Sequence, residues 1–527
     1  MTIAEMLTDL RAKGIHLWWD GKKLRYRAPQ GALTAAVRSL LTERKAEVIA
    51  FLEAHAPPTT AKPLTIPLAP PSSESPLSFA EEGLWLLERL TPESAAWNMQ
   101  STMRLRGSLD VAALEFSFNA LVRRQEILRT AFTLSDQGPS RLITPELRLE
   151  LPIVDLSQSA EPNNEISRMA SALGKDPFDL STAPLFRVKL LRLSEAEHIL
   201  LLTRHHIITD AWSSMLFFRE LFALYEASVS HVPPALADLP IQYSDYAFWL
   251  RHLRTSEMEP HRSYWKGQLD GVRVVELPRD KQRNTDRSFR GSTERLRLSP
   301  ILSRALRELC KHERATPFMV LLAAFKILLY RYTGESDIVV GSTVAGRNRP
   351  ELEHLIGMFI NLLPLRTDLS GEPSFREALR RVREGCLDAY QHQNYPFEKL
   401  VQELSPTRDP SHNSFFQVLF NVVNLPSIPS AVNGLTIERL ARPEDTARFD
   451  LTLYAPETNE GFEIIAAYNT DVFLPGRITE MLEQYKYVLE QVAENPDCKI
   501  DDYSLLTVSA KRVLPDPTLP LDDTWYG

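Results

Sequence analysis

The chain has 527 residues, enough for about three folding units at roughly 100–200 residues each. Hydrophobic residues make up 44% and charged residues 24%, an ordinary globular composition that excludes wholesale disorder. The net charge of −8 gives no reason to expect a nucleic-acid partner. The three cysteines are far apart and form no CxxC pair, so neither a disulfide framework nor a metal site is predicted.

The N-terminus gives no indication of membrane insertion. Its first residues, MTIAEMLTDLRAKG, are amphipathic and charged, and no stretch of the chain reaches the roughly 18 apolar residues of a membrane span. The cysteine usage suits a reducing compartment. We therefore expect a soluble, cytoplasmic protein with no membrane partner.

Residues 1–56 are predicted to form a small unit with the order helix, hairpin, helical region. Apolar residues recur at helical spacing in the first ten positions and again in residues 34–54. Between them, HLWWDGKKLRYRA predicts two short strands around an Asp20-Gly21 turn. The unit holds nine Lys or Arg and six Asp or Glu, net +3, so the rest of the chain carries −11. The positive charge is concentrated on the second strand, at Lys22, Lys23, Arg25 and Arg27.

This basic strand allows two interpretations. It could be a solvated edge strand, because lysine at a sheet edge discourages aggregation. It could also be a docking edge along which an acidic peptide adds as a further strand. The charges alone leave both interpretations open.

A proline-rich stretch, residues 57–76, follows the small unit. Seven of its twenty residues are proline and none is glycine, which predicts an extended, semi-rigid spacer. Beyond it we expect two lobes, residues 77–251 and 252–507, with the seam in the charged, proline-dotted stretch 252–290. The tail, residues 508–527, is again rich in proline and is predicted to be a second linker.

Strands and helices alternate through both lobes, which predicts an α/β (α+β) fold. HILLLTRHH, residues 198–206, is a near-continuous apolar run, typical of a strand buried on both faces. Residues 213–227 place apolar side chains at i, i+3, i+4 and i+7, which is typical of a helix. In the second lobe, residues 318–334 predict a buried helix and residues 336–346 a strand.

One cluster of polar residues, RHHIITDAWS, lies where the buried strand gives way to the helix. Adjacent strand residues face opposite sides, so only one of His205 and His206 can point into a given cleft. Asp210 can fix the loop, bind an arginine or orient an imidazole. A neutral imidazole near pH 7 can accept a proton from an attacking amine or hydroxyl. No G-x-S-x-G nucleophile elbow appears, so direct acyl transfer is simpler than an acyl-enzyme.

Structural roles are equally open for these residues. Asp210 or Ser213 could cap the following helix. The two histidines could be satisfied core groups or, less readily because they point apart, metal ligands. The cluster by itself leaves its role undecided.

The HHxxxD run resembles the active-site motif of condensation domains in nonribosomal peptide synthetases. The resemblance extends over roughly residues 76–507. It is carried, in the same order as in that family, by LSFAEEGLWLL (77–87), RRQEILRTAF (123–132), YSDYAFWL (243–250), GMFINLLPLR (357–366), HQNYPFEKLV (392–401), RDPSHNSFFQVLFN (408–421), FDLTLY (449–454) and YNTDVF (468–473). The first 56 residues resemble N-terminal docking domains of the tubulysin-synthetase type, and the tail resembles a linker toward an adenylation domain.

The resemblance implies two chloramphenicol-acetyltransferase-like lobes in a V around a central tunnel, plus the small α-β-β-α unit. His206 would position or deprotonate an acceptor amine as it attacks the donor thioester. His205 would serve mainly in packing, and Asp210 would be held by an arginine, for which Arg347 is the candidate. These three motif residues form the predicted catalytic set. The chain would bind no cofactor, because substrates arrive on the phosphopantetheine of carrier proteins or on CoA.

The resemblance also assigns a second group of residues to the tunnel or its support: Ala211, Ser213, Arg347, Asn361 and Tyr395. Ala211 replaces the glycine usual in the family. That change would cost about 1 kcal/mol or narrow the tunnel if the position required φ > 0 or a close approach of pantetheine. Glu81 stands where glutamine is common, and the sequence offers no reason for the change.

The predicted activity is amide formation by attack of a carrier-bound aminoacyl amine on an acyl or peptidyl thioester. The implied partners are a downstream peptidyl carrier protein and adenylation domain, with the donor on an upstream synthetase or, in a starter domain of lipopeptide synthesis, on fatty acyl-CoA. His205 argues against the heterocyclising form, and GMFINLLPLR resembles the condensing rather than the epimerising form. The alternatives are a non-catalytic recruitment domain of the same fold and a stand-alone HxxxD acyltransferase.

Overall fold

The computed structural model describes a defined part of the chain: residues 16–19, 24–27, 41, 44, 45, 48, 66–70, 74–136, 138–282, 289–404, 414–422, 428–440 and 446–513. Two compact units divide between Thr65 and Ile66. In the first unit, strands β1 (His16–Trp19) and β2 (Leu24–Arg27) pair antiparallel, so the predicted pairing of two short strands is confirmed. The predicted Asp20-Gly21 turn lies outside the described residues. The predicted helix of the first ten residues lies outside the described residues.

The larger unit begins with the elements of an N-terminal lobe. In chain order they are β3 (Glu74–Pro76), α1 (Phe79–Leu90), β4 (Asn98–Arg106), α2 (Val111–Arg124), β5 (Thr130–Ser135), β6 (Gly138–Ile143), β7 (Ile153–Asp155), α3 (Pro162–Lys175), β8 (Phe186–Ser194), β9 (Glu197–His205), α4 (Ala211–Ser230) and α5 (Tyr243–Arg251). Short 3₁₀ turns occupy Glu126–Arg129 and His206–Ile208.

The elements of the second half of the chain follow. They are α6 (Thr255–Leu269), β10 (Gly291–Arg297), α7 (Pro300–His312), α8 (Pro317–Thr333), β11 (Asp337–Val344), β12 (Asn361–Asp368), α9 (Phe375–Gln391), α10 (Phe397–Leu404), β13 (Val418–Asn421), β14 (Ala431–Val432), β15 (Leu435–Leu440), β16 (Leu451–Tyr454), β17 (Glu457–Thr458), β18 (Gly461–Asn469), α11 (Pro475–Glu494) and α12 (Val508–Val513). A further 3₁₀ turn spans Pro350–Leu352.

Each lobe is built on one mixed sheet. The six-stranded sheet of the N-terminal lobe has the order β14-β15-β4-β9-β8-β7, and the seven-stranded sheet of the C-terminal lobe has the order β10-β18-β16-β13-β11-β12, with β17 beside β18. A third sheet, β3-β6-β5, lies in the N-terminal part. Most pairings are antiparallel, while β7–β8, β11–β13 and β13–β16 are parallel. The predicted mixed fold is confirmed.

The predicted strand at residues 198–206 is β9, next to the middle of its sheet. Its alternate residues pack on opposite faces: Leu200 and Leu202 join the core under α2 and α4, whereas Ile199 and Leu201 join a smaller core beside α3. Burial on both faces explains the continuous apolar run. The predicted helix of the C-terminal lobe is α8, and Gly334 ends it at φ 74°, a left-handed conformation that suits glycine.

The packing of the two lobes does not follow chain order. Residues 352–359 lie in the C-terminal half of the chain, yet Leu355, Ile356 and Phe359 are buried in the core of the N-terminal lobe. The strand β15 likewise leaves the second half of the chain to pair with β4, with Ile437 opposite Leu105. The two hydrophobic cores therefore do not divide at residues 251 and 252 as the sequence was predicted to, because segments from beyond residue 252 belong to the N-terminal core.

Part of the predicted spacer, residues 57–76, is packed rather than free. Ile66 is buried in the core of the N-terminal lobe, and the backbone N–H of Ala69 donates to Asp245 Oδ1 at 2.6 Å. Residues Glu74–Pro76 pair with β6. The predicted seam, residues 252–290, also contains a regular element, because α6 lies within it and buries Trp265 in the C-terminal core. In the predicted tail linker, the first six residues form α12.

The buried pair Glu81–Arg141 accounts for an unexplained residue of the first motif. The Glu81 carboxylate accepts hydrogen bonds from the Arg141 guanidinium and, at 2.7 Å, from the backbone N–H of Ser78. Ser78 Oγ in turn accepts from the Glu81 N–H at 3.2 Å, which completes a capping box at the start of α1. A neutral glutamine would leave the buried guanidinium without its counter-charge.

In the part of the chain that the structure describes, no single helix has both the length and the apolar composition of a membrane span. The helices α7 and α8 meet that test only when counted together, and they are bent by 105°. The residues of α8 lie in the core of the C-terminal lobe.

Candidate active site

The HHxxxD run occupies the junction between β9 and α4. The strand ends at His205, a 3₁₀ turn spans His206–Ile208, and α4 begins directly after Asp210. Asp210 is the N-cap of α4, since its Oδ1 accepts a hydrogen bond from the backbone N–H of Ser213 at 2.7 Å. The capping role that the sequence left open is thus present, and it uses only one of the two carboxylate oxygens.

His205 is held by two hydrogen bonds in the interior. Its Nδ1 accepts from the backbone N–H of Ile207 at 3.2 Å, so the ring proton is on Nε2, which lies 3.0 Å from Glu88 Oε1 on α1. Burial lowers the pKa of His205, while Glu88 acts in the opposite direction. Phe178 contacts the ring edge to face. Because both ring nitrogens are engaged, the geometry fits a structural role better than proton transfer.

His206 contacts different groups and keeps one nitrogen available. Its Nδ1 lies 2.7 Å from the backbone oxygen of Thr209, and a carbonyl oxygen can only accept, so Nδ1 carries the proton. The lone pair is then on Nε2. The side chain is buried, with 7% of the residue surface exposed. Burial, and next the positive charge of Arg448, lower the pKa of His206 to about 3. The imidazole is therefore neutral near pH 7, with an acceptor nitrogen.

Asp210 joins the motif to the opposite half of the chain. Its second oxygen, Oδ2, accepts a hydrogen bond from the backbone N–H of Phe359 at 3.0 Å, across 149 residues of sequence. The guanidinium of Arg347 lies 3.8 Å from Oδ1, and both side chains are buried. The structure thus brings Arg347 to Asp210, as the resemblance implied. Burial lowers the pKa of Arg347, and the Asp210 carboxylate counters that effect.

Ser213 is the centre of the same network. Its hydroxyl donates to the backbone oxygen of Gly357 at 2.7 Å and accepts from the Gly357 N–H at 3.1 Å. Arg347 Nη2 lies 2.6 Å from the same hydroxyl, and Arg347 Nη1 donates to the backbone oxygen of Leu355 at 2.8 Å. Ser213 therefore supports the loop of the histidine through backbone and guanidinium contacts.

Gly357 is fixed by the close approach of an aromatic ring. A Cβ at this position would lie 1.9 Å from Tyr243 Cδ2, so only glycine fits. The Tyr243 hydroxyl lies 2.6 Å from the backbone oxygen of Met358 and 3.2 Å from Ser78 Oγ. The motifs 77–87, 243–250 and 357–366, which are far apart in the sequence, therefore contact one another here.

Ala211 carries none of the backbone strain considered for it. It is the first residue of α4, and it does not belong to the residues with positive φ in the described chain. Alanine is the best helix former, so the missing glycine costs no backbone energy here. The positive φ on which the predicted backbone cost depends is therefore absent at Ala211.

Asn361 and Tyr395 belong to a neighbouring structural cluster. The Asn361 amide donates to the backbone oxygens of Gln393 and Tyr395, both at 2.8 Å, and its oxygen accepts from the N–H groups of Leu362 and Phe397, both at 3.0 Å. These four bonds use its full capacity. The Tyr395 hydroxyl, 2.9 Å from a Glu403 carboxylate oxygen, is also engaged. Asn361 thus fixes the backbone of residues 393–397, and Tyr395 ties that segment to α10.

The predicted docking residues can be placed only in part. Arg25 and Arg27 lie on β2, opposite Trp18 and His16 of β1, whereas Lys22 and Lys23 lie outside the described residues. Elsewhere, the described ranges contain no group of three or more His, Cys, Asp or Glu side chains that could hold a metal ion.

Several residues of the site escaped the sequence analysis. Glu88 directly follows the motif LSFAEEGLWLL, and no spacing rule connects it with His205. Trp97 precedes β4 and lies beside His206 because β4 pairs with β9. Arg448 precedes FDLTLY and reaches the Trp97 ring from the other half of the chain. Thr209 and Phe359 contribute backbone groups, which do not depend on the residue type and so cannot be recognised from the sequence.

The comparisons with known proteins agree with this geometry. A family described as Condensation domain matches residues 72–514, and one described as TubC N-terminal docking domain matches residues 3–53. One of the linear gramicidin synthase proteins of Brevibacillus parabrevis is 43% identical over 450 residues, which are 84% of this chain and 9% of that protein. Chondramide synthase of Chondromyces crocatus is 39% identical over 464 residues, which are 88% of this chain and 12% of that protein. The chain thus spans only a small part of the length of these curated relatives.

Two solved structures have the same fold. The X-domain in the complex of the X-domain and OxyB from teicoplanin biosynthesis has a TM-score of 0.78 at 30% identity, covering 87% of this chain and 100% of that one. The first condensation domain of the CDA synthetase has a TM-score of 0.70 at 25% identity, covering 83% of this chain and 100% of that one. The predicted arrangement of two lobes is therefore shared with condensation domains.

Asp210 provides a direct test of the network. Asp210→Ala should lower the free energy of unfolding by about 3–5 kcal/mol, because the buried Arg347 loses its counter-charge and the Phe359 N–H its acceptor. Urea denaturation followed by fluorescence measures the loss. The matched control is Asp337→Ala, which removes the half-exposed partner of Arg366 and should cost no more than about 1 kcal/mol. Equal costs for the two variants would show that the buried network adds nothing beyond an ordinary surface pair.

Proposed function

This chain belongs to the condensation-domain family, whose members in nonribosomal peptide synthetases are acyltransferases that form amide bonds, and we propose that His206 is the residue that receives the acceptor amine. The observation that carries the proposal is the hydrogen bond from His206 Nδ1 to the Thr209 carbonyl, which leaves Nε2 as a lone-pair acceptor. An amine N–H can donate to that nitrogen. The amine lone pair is then free to attack a thioester carbon.

The chemistry needs positioning more than strong basicity. A histidine whose pKa is about 3 cannot hold a proton taken from an ammonium group, whose pKa is about 8, so the amine has to arrive neutral. As the nitrogen bonds to the thioester carbon, the C–S bond breaks and the amine proton ends on the leaving thiolate. His206 orients the nitrogen and accepts its hydrogen bond during this transfer.

His205, Asp210 and Ser213 act in this proposal as supports of the loop. His205 anchors the strand end to α1 through Glu88, and Asp210 anchors the helix start to residues 357–359. The turn between them, residues 206–209, is held at both ends. Such a turn keeps the imidazole in one orientation before substrate binds, which is the condition for effective positioning.

The substrates in this proposal are two thioesters. The acceptor is an aminoacyl group on the phosphopantetheine of a downstream carrier protein, and the donor is an acyl or peptidyl group on an upstream carrier or on CoA. The match of residues 3–53 to a docking domain supports a donor on a separate synthetase, which residues 1–56 would recruit. The basic residues Lys22, Lys23, Arg25 and Arg27 would bind an acidic peptide of that partner.

Recruitment of another protein by the two-lobed part is the second candidate function. It is favoured by the similarity to an X-domain whose solved structure is a complex with OxyB. In that case His206 would have no chemical role, and the protein would bind a partner without forming an amide. Product analysis separates the two functions.

His206→Ala should reduce amide formation by about 10²–10⁴-fold, because the amine loses its acceptor, while the melting temperature stays within a few degrees. Mass spectrometry of carrier-bound products, with carrier-bound and CoA-bound donors offered in competition, measures the rate and identifies the donor. His205→Ala is the matched control, since it should mainly lower stability. A His206→Ala rate within a few-fold of wild type would remove His206 from the mechanism.

Reversing Lys22, Lys23 and Arg25 to glutamate should reduce transfer from an upstream carrier in trans. Reaction with a small soluble thioester should remain unchanged, because that donor needs no docking. The effect should weaken as salt rises, since exposed charges are screened over about 8–10 Å at moderate ionic strength. The rates with the two donors measure the loss of transfer, and calorimetry measures the binding of the partner's acidic peptide to each variant.

A charge-matched variant controls for the change in net charge. Reversal of Arg11, Lys13 and Lys45 alters the same unit by the same amount but leaves the second strand intact. It should retain carrier transfer. If both triple variants lose transfer equally, or neither does, the basic strand is a solvated edge with no specific partner.

A further inference from the structure

Trp97, which with Ala96 directly precedes β4, lies beside the His206 imidazole. The backbone N–H of His206 donates to the Trp97 carbonyl oxygen at 2.8 Å, and the two rings lie 6.1 Å apart between centroids. The position of this short segment therefore fixes the backbone of His206 as well as the wall beside its ring.

Arg448 reaches this wall from the other half of the chain. It precedes β16 of the C-terminal sheet, and its Nε and Nη2 both lie 3.3 Å from the carbonyl oxygen of Ala96. Its guanidinium carbon is 4.8 Å from the centre of the Trp97 ring, and Phe289 contacts the same ring edge to face. Arg448 thus holds consecutive residues by a forked hydrogen bond and by a cation–π contact.

We propose that Arg448 is a positioning residue for His206. From the C-terminal lobe, Arg448 holds the Ala96–Trp97 segment in place beside the imidazole. The proposal rests on the proposed function, because it concerns the same histidine. The proposal adds that His206, which belongs to the N-terminal lobe, is held in place by Arg448, a side chain of the C-terminal lobe. A change in the angle between the lobes would then alter the placement of His206.

Arginine suits this position better than lysine. Its planar guanidinium can fork to one carbonyl oxygen and stack on an aromatic face at the same time, whereas an ammonium group is a point charge that cannot do both. Lysine would retain the charge but lose the geometry, and glutamine would keep one hydrogen bond without the charge. The two substitutions therefore separate the two contributions.

The charge of Arg448 has a second effect on the imidazole. The charged or titratable groups around His206 are Arg448 from the segment before β16, His205 with Glu88 of α1 behind it, and Asp210, which is engaged by Ser213 and Phe359. A cation beside the ring disfavours the imidazolium form. Arg448 therefore acts in the direction that keeps Nε2 free to accept a hydrogen bond.

The test compares Arg448→Gln and Arg448→Lys with Arg477→Gln, which removes an arginine of the same lobe that is paired with Asp280 instead of with the Ala96–Trp97 segment. Steady-state amide formation from a small donor thioester gives kcat and KM. Arg448→Gln should lower kcat by about 10–100-fold with KM within about three-fold, because misplacement of a positioned group chiefly affects the reacting step. Arg448→Lys should show an intermediate loss, and Arg477→Gln should leave kcat unchanged.

A double variant shows whether Arg448 acts through His206. In the His206→Ala background, Arg448→Gln should change the residual rate by less than about two-fold, since nothing remains to be positioned. A full additional loss in that background, or a kcat of Arg448→Gln within two-fold of wild type, would overturn the inference. Absence of amide formation by the wild-type protein would instead refute the proposed function, so the two failures are distinguishable.

Discussion

The bidentate use of the Asp210 carboxylate is the constraint on which the site depends. One oxygen caps α4 through the Ser213 N–H at 2.7 Å, and the other accepts the Phe359 N–H at 3.0 Å from the second half of the chain. Asp210 is only 2% exposed, so its charge is tolerable because these donors and the Arg347 guanidinium surround it. The carboxylate is therefore a structural junction: without it, the helix start and residues 357–359 would have unpaired buried groups.

This junction explains how the His206 imidazole can be buried and still present a hydrogen-bond acceptor to substrate. The turn that carries His206 is tied at the strand end by His205 and at the helix end by Asp210, so its backbone has little freedom. The Thr209 carbonyl then fixes the ring tautomer, and the surrounding burial and the Arg448 charge keep the ring neutral. His205 and Asp210 thus have structural roles, and His206 has the chemical one. All three residues are needed, although only Nε2 of His206 is left to bind substrate.

The sequence predicted the regular elements well, because their signals are local. The apolar run of β9, the periodicity of α4 and the pairing of β1 with β2 all depend on residues close together in the sequence. It could not predict which distant groups meet: Phe359 contributes a backbone N–H, which any residue type other than proline has, and residues 352–359 enter the core of the N-terminal lobe against chain order. Composition also failed for the proline-rich segment, since Ile66 is anchored by tertiary contacts that no local pattern reveals.

The role of His206 depends on which of its ring nitrogens carries the proton. Nitrogen NMR of protein labelled in its histidine rings, with the His206 signals identified by their loss in His206→Gln, reports which nitrogen carries the proton. We predict a protonated Nδ1 and a bare Nε2 that stay unchanged from pH 8 to about pH 5.5, because the folded pKa of about 3 lies well below the usual value of about 6.5. A proton on Nε2, or titration of His206 near pH 6.5, would contradict the role proposed for its Nε2 as a hydrogen-bond acceptor.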